Sequence, residues 1–317
     1  MRLSMFNFLP YWLRGTLASL LVIVNTIFWF PFLLFGTFFK IVIPIRIIQK
    51  LMTQLLIAIA NAWVSGNSFV LSLTQHINWV ITGTDNLKKN DWYFVNSNHQ
   101  SWTDIPVVQK VMNGKTPMLK FFLKQELIWV PVLGVCWWAL DFPFMKRYSP
   151  QYLKKHPEMK GKDLETTRKA CAKFKTTPVA VLNFLEGTRF TNNKHDKQQS
   201  PYTNLLKPKY GGAAFVLGSM GEKMHTMLDI TIYYPDDTPS FWDLVCGKVK
   251  NIVVDVRKVN IPVTLRGKDY SQDKVFKMEF QRWMQTVWQE KDELLGQLKV
   301  KHAQISEANV SGVLEQS

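Results

Sequence analysis

A histidine and an aspartate five positions apart, His99 and Asp104 in the stretch NHQSWTD, are the residues of this sequence best suited to moving a proton. An imidazole titrates near neutrality and can serve as a general base, and a carboxylate beside it orients the ring and stabilises the imidazolium. The stretch follows Trp92-Tyr93-Phe94-Val95, an apolar run that reads as a buried strand ending at Asn96. A loop at a strand end is where a rigid scaffold presents chemistry. In one continuous helix, residues five apart point about 140° away from each other, so these side chains would diverge. They meet only if His99 stays in the loop and Asp104 enters the first helical turn. Ser101-Trp102-Thr103-Asp104 has the capping-box pattern, which predicts Ser101 as N-cap and Asp104 at the third helical position. By itself the pair has an ordinary reading too: such a spacing arises by chance, and Asp104 can be a cap and nothing more.

Two further stretches carry usable groups. Leu185-Glu186-Gly187-Thr188-Arg189 follows the expected strand Val179–Phe184. Gly187 permits a tight turn with exposed backbone N–H groups, and Arg189 offers a planar, bidentate donor for phosphate. Phe144-Met145-Lys146-Arg147 reads as a strand end delivering two cations. Taken singly, the first could be a plain strand-to-loop turn and the second a solvated strand end.

The elements that must hold these groups are short apolar runs alternating with helical patterns. Candidate strands are Ile77–Ile81, Trp92–Val95, Met118–Phe122, Phe142–Met145, Val179–Phe184, Leu228–Tyr233 and Ile252–Val256. Candidate helices are Asp104–Met112, Glu126–Leu140, Lys162–Phe174, Gly211–Leu217 and Phe241–Val245, with a long amphipathic helix over Ser271–Lys299 and Ser271 as its N-cap. Alternation of this kind argues for an α/β fold, a largely parallel central sheet flanked by helices. The expected organisation is an N-terminal membrane anchor over residues 1–64, one α/β domain over 65–299, and a flexible tail over 300–317.

The anchor rests on Gly15–Phe39, a run without a charge between Arg14 and Lys40. As a straight helix it would reach about 37 Å, enough to cross a hydrocarbon core of roughly 30 Å. Pro31 inside it predicts a kink or break. In the next stretch, Ile41–Trp63, the spacing of Ile48, Leu51, Leu55, Leu56 and Ile59 fits one helical face, as in an interfacial helix. Two arrangements fit: one spanning helix, or a helical hairpin seated in one leaflet. The basic residues after the run favour a cytoplasmic location for the remainder, at the inner membrane if the protein is bacterial.

Composition supports a folded, surface-active chain. With 47% hydrophobic and 20% charged residues, wholesale disorder is excluded. The net charge of +15 calls for a polyanionic partner, either an anionic bilayer or nucleic acid. The basic stretch Lys146–Lys175 suits a surface lying on anionic lipid, although a solvated helix face would look similar. Cys136, Cys171 and Cys246 lack any metal-ligand spacing and read as reduced packing residues; no metal site is expected.

Taken together and in order, NHQSWTD, LDFPFMKR, FLEGTRFT and LDITIYYP resemble the glycerolipid acyltransferase family, which includes PlsC-like lysophosphatidic acid acyltransferases. They look most similar to the branch containing lysocardiolipin and related lysophospholipid acyltransferases. The resemblance covers roughly Trp79–Val256. It implies that His99 is the general base for the acceptor hydroxyl and that Asp104 orients it. It also implies that Arg189 and Gly187, with Arg147 and Lys124, hold the acceptor phosphate, while Glu186 and Thr188 support that loop. The acyl donor would be acyl-CoA or acyl carrier protein acting as co-substrate, with no further cofactor; the acceptor would be a lysophospholipid. Trp129, Trp137 and Trp138 could line an acyl-chain channel, with core packing the default for at least two of them. The sequence departs from the family pattern at Leu185, a frequent proline; at Asp141, a frequent glycine; and at Asp229, a frequent proline. The last two bear on acceptor choice. The rival reading is a membrane-tethered basic nucleic-acid-binding or scaffolding protein, but nothing resembling a nucleic-acid-binding motif supports it.

Overall fold

The computed structural model describes residues 8–145, 162–268 and 273–314, together with Phe6, Tyr152, Lys155, His156 and Tyr270. At its centre is a six-stranded sheet. Its strands are β1 (Asn78–Thr82), β2 (Tyr93–Ser97), β3 (Leu119–Phe121), β6 (Ala180–Phe184), β7 (Thr226–Tyr233) and β8 (Asn251–Asn260), in the order β1-β8-β7-β2-β6-β3. All neighbours are parallel except β7 and β8. The remaining strands, β4 (Leu123–Lys124) and β5 (Phe144–Met145), form a separate parallel ribbon. Every residue of β2 is buried, as a central parallel strand covered on both faces requires.

The helices are α1 (Tyr11–Val42), α2 (Arg46–Thr74), α3 (Asp104–Met112), α4 (Leu133–Ala139), α5 (Lys162–Phe174), α6 (Asn192–Gln198), α7 (Tyr210–Met220), α8 (Phe241–Cys246) and α9 (Lys274–Leu314). On one sheet face Phe94, Val181 and Met227 pack with Phe174, Leu217, Phe280 and Trp288 from α5, α7 and α9. On the other, Val95, Leu182 and Ile230 pack with Val107, Val111 and Leu244 from α3 and α8. This is the largely parallel sheet flanked by helices that the alternating pattern predicts.

Three differences from the sequence reading have local causes. The helix expected over Glu126–Leu140 is broken into a 3-10 turn, Gln125–Trp129, and α4. Pro131 disfavours helical backbone in the residue before it, and Val132 turns to φ +64°. Gly134 then lies so close to Ile128 that any Cβ would fall 2.0 Å from its carbonyl oxygen. The short α6 was not expected; its polar sequence NNKHDKQ has no apolar period, but Thr191 caps it by accepting the Lys194 N–H. The last helix runs to Leu314, past its expected end at Lys299, and the Asp273 carboxylate accepts the Phe276 N–H at its start. Ser271 lies outside the described residues. Cys171 and Cys246 are buried free thiols and Cys136 is half-buried.

The N-terminal helices form an antiparallel pair joined through residues 43–45. Pro31 lies within α1 without ending it. Asn25 donates to the Trp63 carbonyl at 2.9 Å and to Asn67 at 2.8 Å, and Trp63 donates to Thr26 at 3.0 Å. Gly66 stands directly under the Asn25 side chain, which lets the helices approach. The pair is also joined to the α/β domain near both ends. Arg14 donates to the Cys246 carbonyl at 2.9 Å, and Lys40 meets Asp141 at 2.6 Å. Both helices are long and apolar enough to cross a membrane. Their outer faces expose Ile23, Ile27, Phe28, Phe35 and Ile47, among others.

Candidate active site

The site is built at the end of β2, where a parallel strand hands over to a loop between its neighbours β6 and β7. Asn98, fully buried, pins that loop sideways. Its side chain donates to the Ile232 carbonyl at 2.9 Å and accepts the Ile232 N–H at 2.8 Å, replacing the ladder where β2 has ended. His99 follows in the loop. Its ring stacks on Phe184 at the end of β6, with centroids 4.0 Å apart and planes 19° from parallel.

Asp104 opens α3 and is completely buried. Its Oδ2 lies 2.8 Å from His99 Nδ1 and accepts the backbone N–H groups of Gln100 at 2.6 Å and Ser101 at 2.9 Å. Its Oδ1 accepts the Tyr234 hydroxyl at 2.6 Å. A carboxylate can only accept, so the proton in the His99 contact sits on Nδ1 and the ring's free lone pair is on Nε2. Only half of the expected capping box forms. The carboxylate reaches back to Ser101 N–H, but the Ser101 hydroxyl accepts from Thr103 N–H at 3.1 Å and donates to the Pro239 carbonyl. The helix therefore begins at Asp104 itself, with Thr103 rather than Ser101 at the cap position.

Glu186 lies beneath the loop, fully buried. Oε1 accepts the His99 backbone N–H at 2.7 Å, and Oε2 accepts the Leu206 N–H at 3.1 Å. Burial pushes its carboxyl up from the ordinary 4.5 to about 7, opposed by those two hydrogen bonds and by the charge of Lys291. Gly187, at φ +65°, turns the chain, and the Phe190 N–H returns to the His99 carbonyl at 2.7 Å. Arg189 is exposed and lies over the Trp102 ring, 5.0 Å from its centroid. Lys194 steadies this loop by donating to the Thr188 hydroxyl and the Arg189 carbonyl, both at 2.9 Å.

The structure thus brings together His99, Asp104, Glu186, Gly187, Thr188 and Arg189. Lys124 is exposed on β4, beside Met145 of β5, and among the described residues no hydrogen bond joins it to the His99 cluster. Arg147 lies outside the described residues, as does most of the basic stretch before α5. Asp229 does not line the site. It is buried behind it, with Lys291 Nζ at 2.9 Å, Arg257 at 3.1 Å and Asn96 at 2.6 Å. Asp141 likewise belongs to an ion cluster at the sheet edge; its φ of +57° is the left-handed backbone that glycine adopts most readily. Of the three tryptophans, Trp137 lines an apolar cavity with Trp29, Leu33, Trp63 and Met112. Trp129 and Trp138 are 84% and 50% exposed, which overturns core packing for two of the three.

Sequence reasoning missed Tyr234, Phe184 and Asn98. A signal existed for Tyr234, whose hydroxyl sits in LDITIYYP just past a strand, level with the loop after β2. Nothing in the linear order says that β7 lies beside β2.

Comparison with known proteins fits this geometry. The Acyltransferase family profile, described simply as acyltransferase, matches residues 78–233. The 1-acyl-sn-glycerol-3-phosphate acyltransferase gamma of Mus musculus is 25% identical over 193 residues, 57% of this chain and 46% of that protein. The chain therefore spans about half the length of that relative. The probable 1-acyl-sn-glycerol-3-phosphate acyltransferase 5 of Arabidopsis thaliana is 23% identical over 302 residues, 89% of this chain and 72% of that protein. Among solved structures, the 1-acyl-sn-glycerophosphate (LPA) acyltransferase PlsC of Thermotoga maritima superposes with a TM-score of 0.54. It is 18% identical, and the match covers 90% of this chain and 95% of that one, a likeness of fold. From the start of β1 to the end of β7, the strands and the His99 loop therefore lie within the part of the chain that matches the Acyltransferase family.

Proposed function

We propose that this protein transfers a fatty acyl group from an acyl thioester, acyl-CoA or acyl carrier protein, to the free hydroxyl of a lysophospholipid. The acceptor would be 1-acyl-sn-glycerol-3-phosphate or a related lysolipid. The observation that carries this reading is the 2.8 Å contact between His99 Nδ1 and the buried Asp104 carboxylate, which leaves Nε2 as the basic nitrogen. Nε2 would take the proton of the acceptor hydroxyl as its oxygen attacks the thioester carbonyl. The tetrahedral intermediate would then collapse with loss of the thiolate, which recovers the proton from the imidazolium. No acyl-enzyme is required, and Asp104 stabilises the transient positive charge on His99. Arg189, exposed beside Trp102, would take the acceptor phosphate through its planar fork.

The substrates are amphiphiles, and the N-terminal hairpin suits them. α1 has 32 residues and is about 48 Å long. It is bonded to the α/β domain near both ends, so it lies along the domain rather than projecting away from it. We therefore read the hairpin as embedded in one leaflet, apolar face down, with the catalytic domain on the cytoplasmic side. The apolar cavity between the hairpin and residues 133–142 would receive an acyl chain.

The test is direct. Purified protein in detergent is offered a panel of lysophospholipids with acyl-CoA or acyl carrier protein thioesters. Acylation by wild type and none by H99A is expected; wild type no better than H99A with every acceptor would reject the proposal.

A further inference from the structure

Away from His99, two lysines grip one carboxylate where the hairpin meets the edge of the sheet, and a third lies within range of its charge. Asp141 receives Lys40 Nζ on one oxygen at 2.6 Å and Lys173 Nζ on the other at 2.7 Å. The third cation is Lys120 on β3, only 8% exposed, with its ammonium 5.1 Å above the Phe174 ring. Among the described residues no hydrogen-bond acceptor reaches that ammonium. Burial pulls its pKa down to about 8, with the charge of Asp141 opposing the shift and those of Lys40 and Lys173 adding to it. Among the described residues the cluster is therefore short of negative charge: Lys40 and Lys173 share the one carboxylate, and Lys120, the most buried of the three, has no acceptor. Buried cations are ordinarily paired and hydrogen-bonded.

We propose that Lys40, Lys120 and Lys173 form a second phosphate site, occupied by the headgroup of an anionic membrane lipid and separate from the acceptor site at Arg189. A phosphate supplies several strong acceptor oxygens and the charge that Asp141 alone does not provide. The surroundings select a lipid over free phosphate. Ile41, next to Lys40 on α1, is 60% exposed, and Trp138, just before Asp141, is 50% exposed. A ligand with its phosphate among the lysines would lay its acyl chains on these side chains. The site is also distinct along the sheet. Lys120 pairs with Val181, three residues before the Phe184 that stacks on His99, or about 10 Å down the strand. Because Lys40 belongs to α1 and Lys120 and Lys173 to the α/β domain, a bound lipid would clamp the hairpin to the domain. The proposal rests on reading the hairpin as membrane-embedded, and not on acyl transfer.

The test uses full-length protein in neutral detergent, with R189A as the background so that the acceptor site is removed. Dihexanoyl phosphatidic acid and inorganic phosphate are titrated separately by calorimetry. The R189A protein should bind the short-chain lipid at one saturable site, and K120M or K173M in that background should weaken it at least tenfold. Lys173 is 67% exposed, so K173M is expected to fold even if K120M does not. D141N, which removes the competing carboxylate, should bind the lipid more tightly. No saturable binding in R189A, unchanged affinity in K173M, or weaker binding in D141N would each overturn the site. Inorganic phosphate binding as tightly as the lipid would overturn the lipid as occupant. Loss of acyl transfer in H99A with lipid binding intact would separate this site from the catalytic proposal.

Discussion

Tyr234 donates its hydroxyl to Asp104 Oδ1 at 2.6 Å, on the oxygen opposite the one that meets His99. The carboxylate is thereby held from two strands, by Tyr234 after β7 and by the Gln100 and Ser101 N–H groups after β2. Its orientation is fixed before any substrate arrives. Y234F removes one hydrogen bond to a charged group, a loss of about 1.5–3 kcal/mol. We expect kcat to fall on the order of 10-fold with KM within about threefold, because the rest of the cradle survives. D104N should be far worse, on the order of 10^4-fold in kcat, since an amide can present a donor to Nδ1 and favour the wrong tautomer. Steady-state kinetics decide this: Y234F matching wild type would mean that the tyrosine only fills space.

Glu186 makes stability fall with rising pH. Burial holds its carboxyl at about 7 in the folded protein against an ordinary 4.5, so between those values the folded state binds more protons than the unfolded state. The stability it contributes is complete below about pH 4.5 and is lost as pH rises through about 7. The difference of about 2.5 units corresponds to about 3 kcal/mol. E186Q has no such titration. Urea unfolding in detergent at pH 5 and pH 8 should therefore show E186Q gaining about 3 kcal/mol on wild type over that range. An E186Q protein that keeps the wild-type pH dependence would remove Glu186 as its source.

How much of this was legible beforehand depended on range. Strands with continuous apolar runs, such as Trp92–Val95 and Val179–Leu182, announced themselves, because a strand buried on both faces needs no partner to be recognised. His99 and Asp104 were legible because the chain turns between them within one loop. Asp104 was less so as a cap, since the Ser101 hydroxyl is diverted to Pro239, a residue distant in sequence. The roles of Asp229 and Asp141 were not legible at all. Each is decided by lysines that arrive from other elements, Lys291 on α9 for one and Lys40 on α1 for the other. The hairpin was half legible: its hydropathy shows in the sequence, while its docking along the domain depends on contacts such as Arg14 with Cys246.

Gly187 ties the Glu186 carboxylate to the Arg189 loop through a left-handed residue at φ +65°. A non-glycine residue there costs about 1–2 kcal/mol, and its Cβ would stand 3.0 Å from the Lys209 side chain. The end of Lys209 can move aside, so the backbone strain remains the main cost. G187A should fold, with a melting temperature lower by a few degrees. It should raise the acceptor KM more than it lowers kcat, because the strain falls on the turn leading to Arg189 and not on the His99–Asp104 pair. A melting temperature equal to that of wild type would show that the turn relaxes to another conformation.

Arg189 is exposed, and its guanidinium lies over the Trp102 ring at 5.0 Å, so it rests on a residue of the same loop that carries His99. A flat, positioned fork can present two parallel N–H donors to a phosphate, which an ammonium cannot do. R189K keeps the charge and loses the fork; R189A loses both. The acceptor KM should therefore rise about 10-fold in R189K and about 100-fold in R189A, with the thioester KM unchanged, in line with a charge-assisted contact of about 1.5–3 kcal/mol. W102A removes only the ring beneath the guanidinium, worth about 0.5–1 kcal/mol at an exposed site, and should raise the acceptor KM about 2- to 5-fold. Salt separates charge from geometry. Raising ionic strength should weaken acceptor binding in wild type and R189K alike, but leave R189A nearly insensitive. If R189K equals wild type at every salt concentration, Arg189 acts only as a charge, and its position over Trp102 has no part in holding the acceptor.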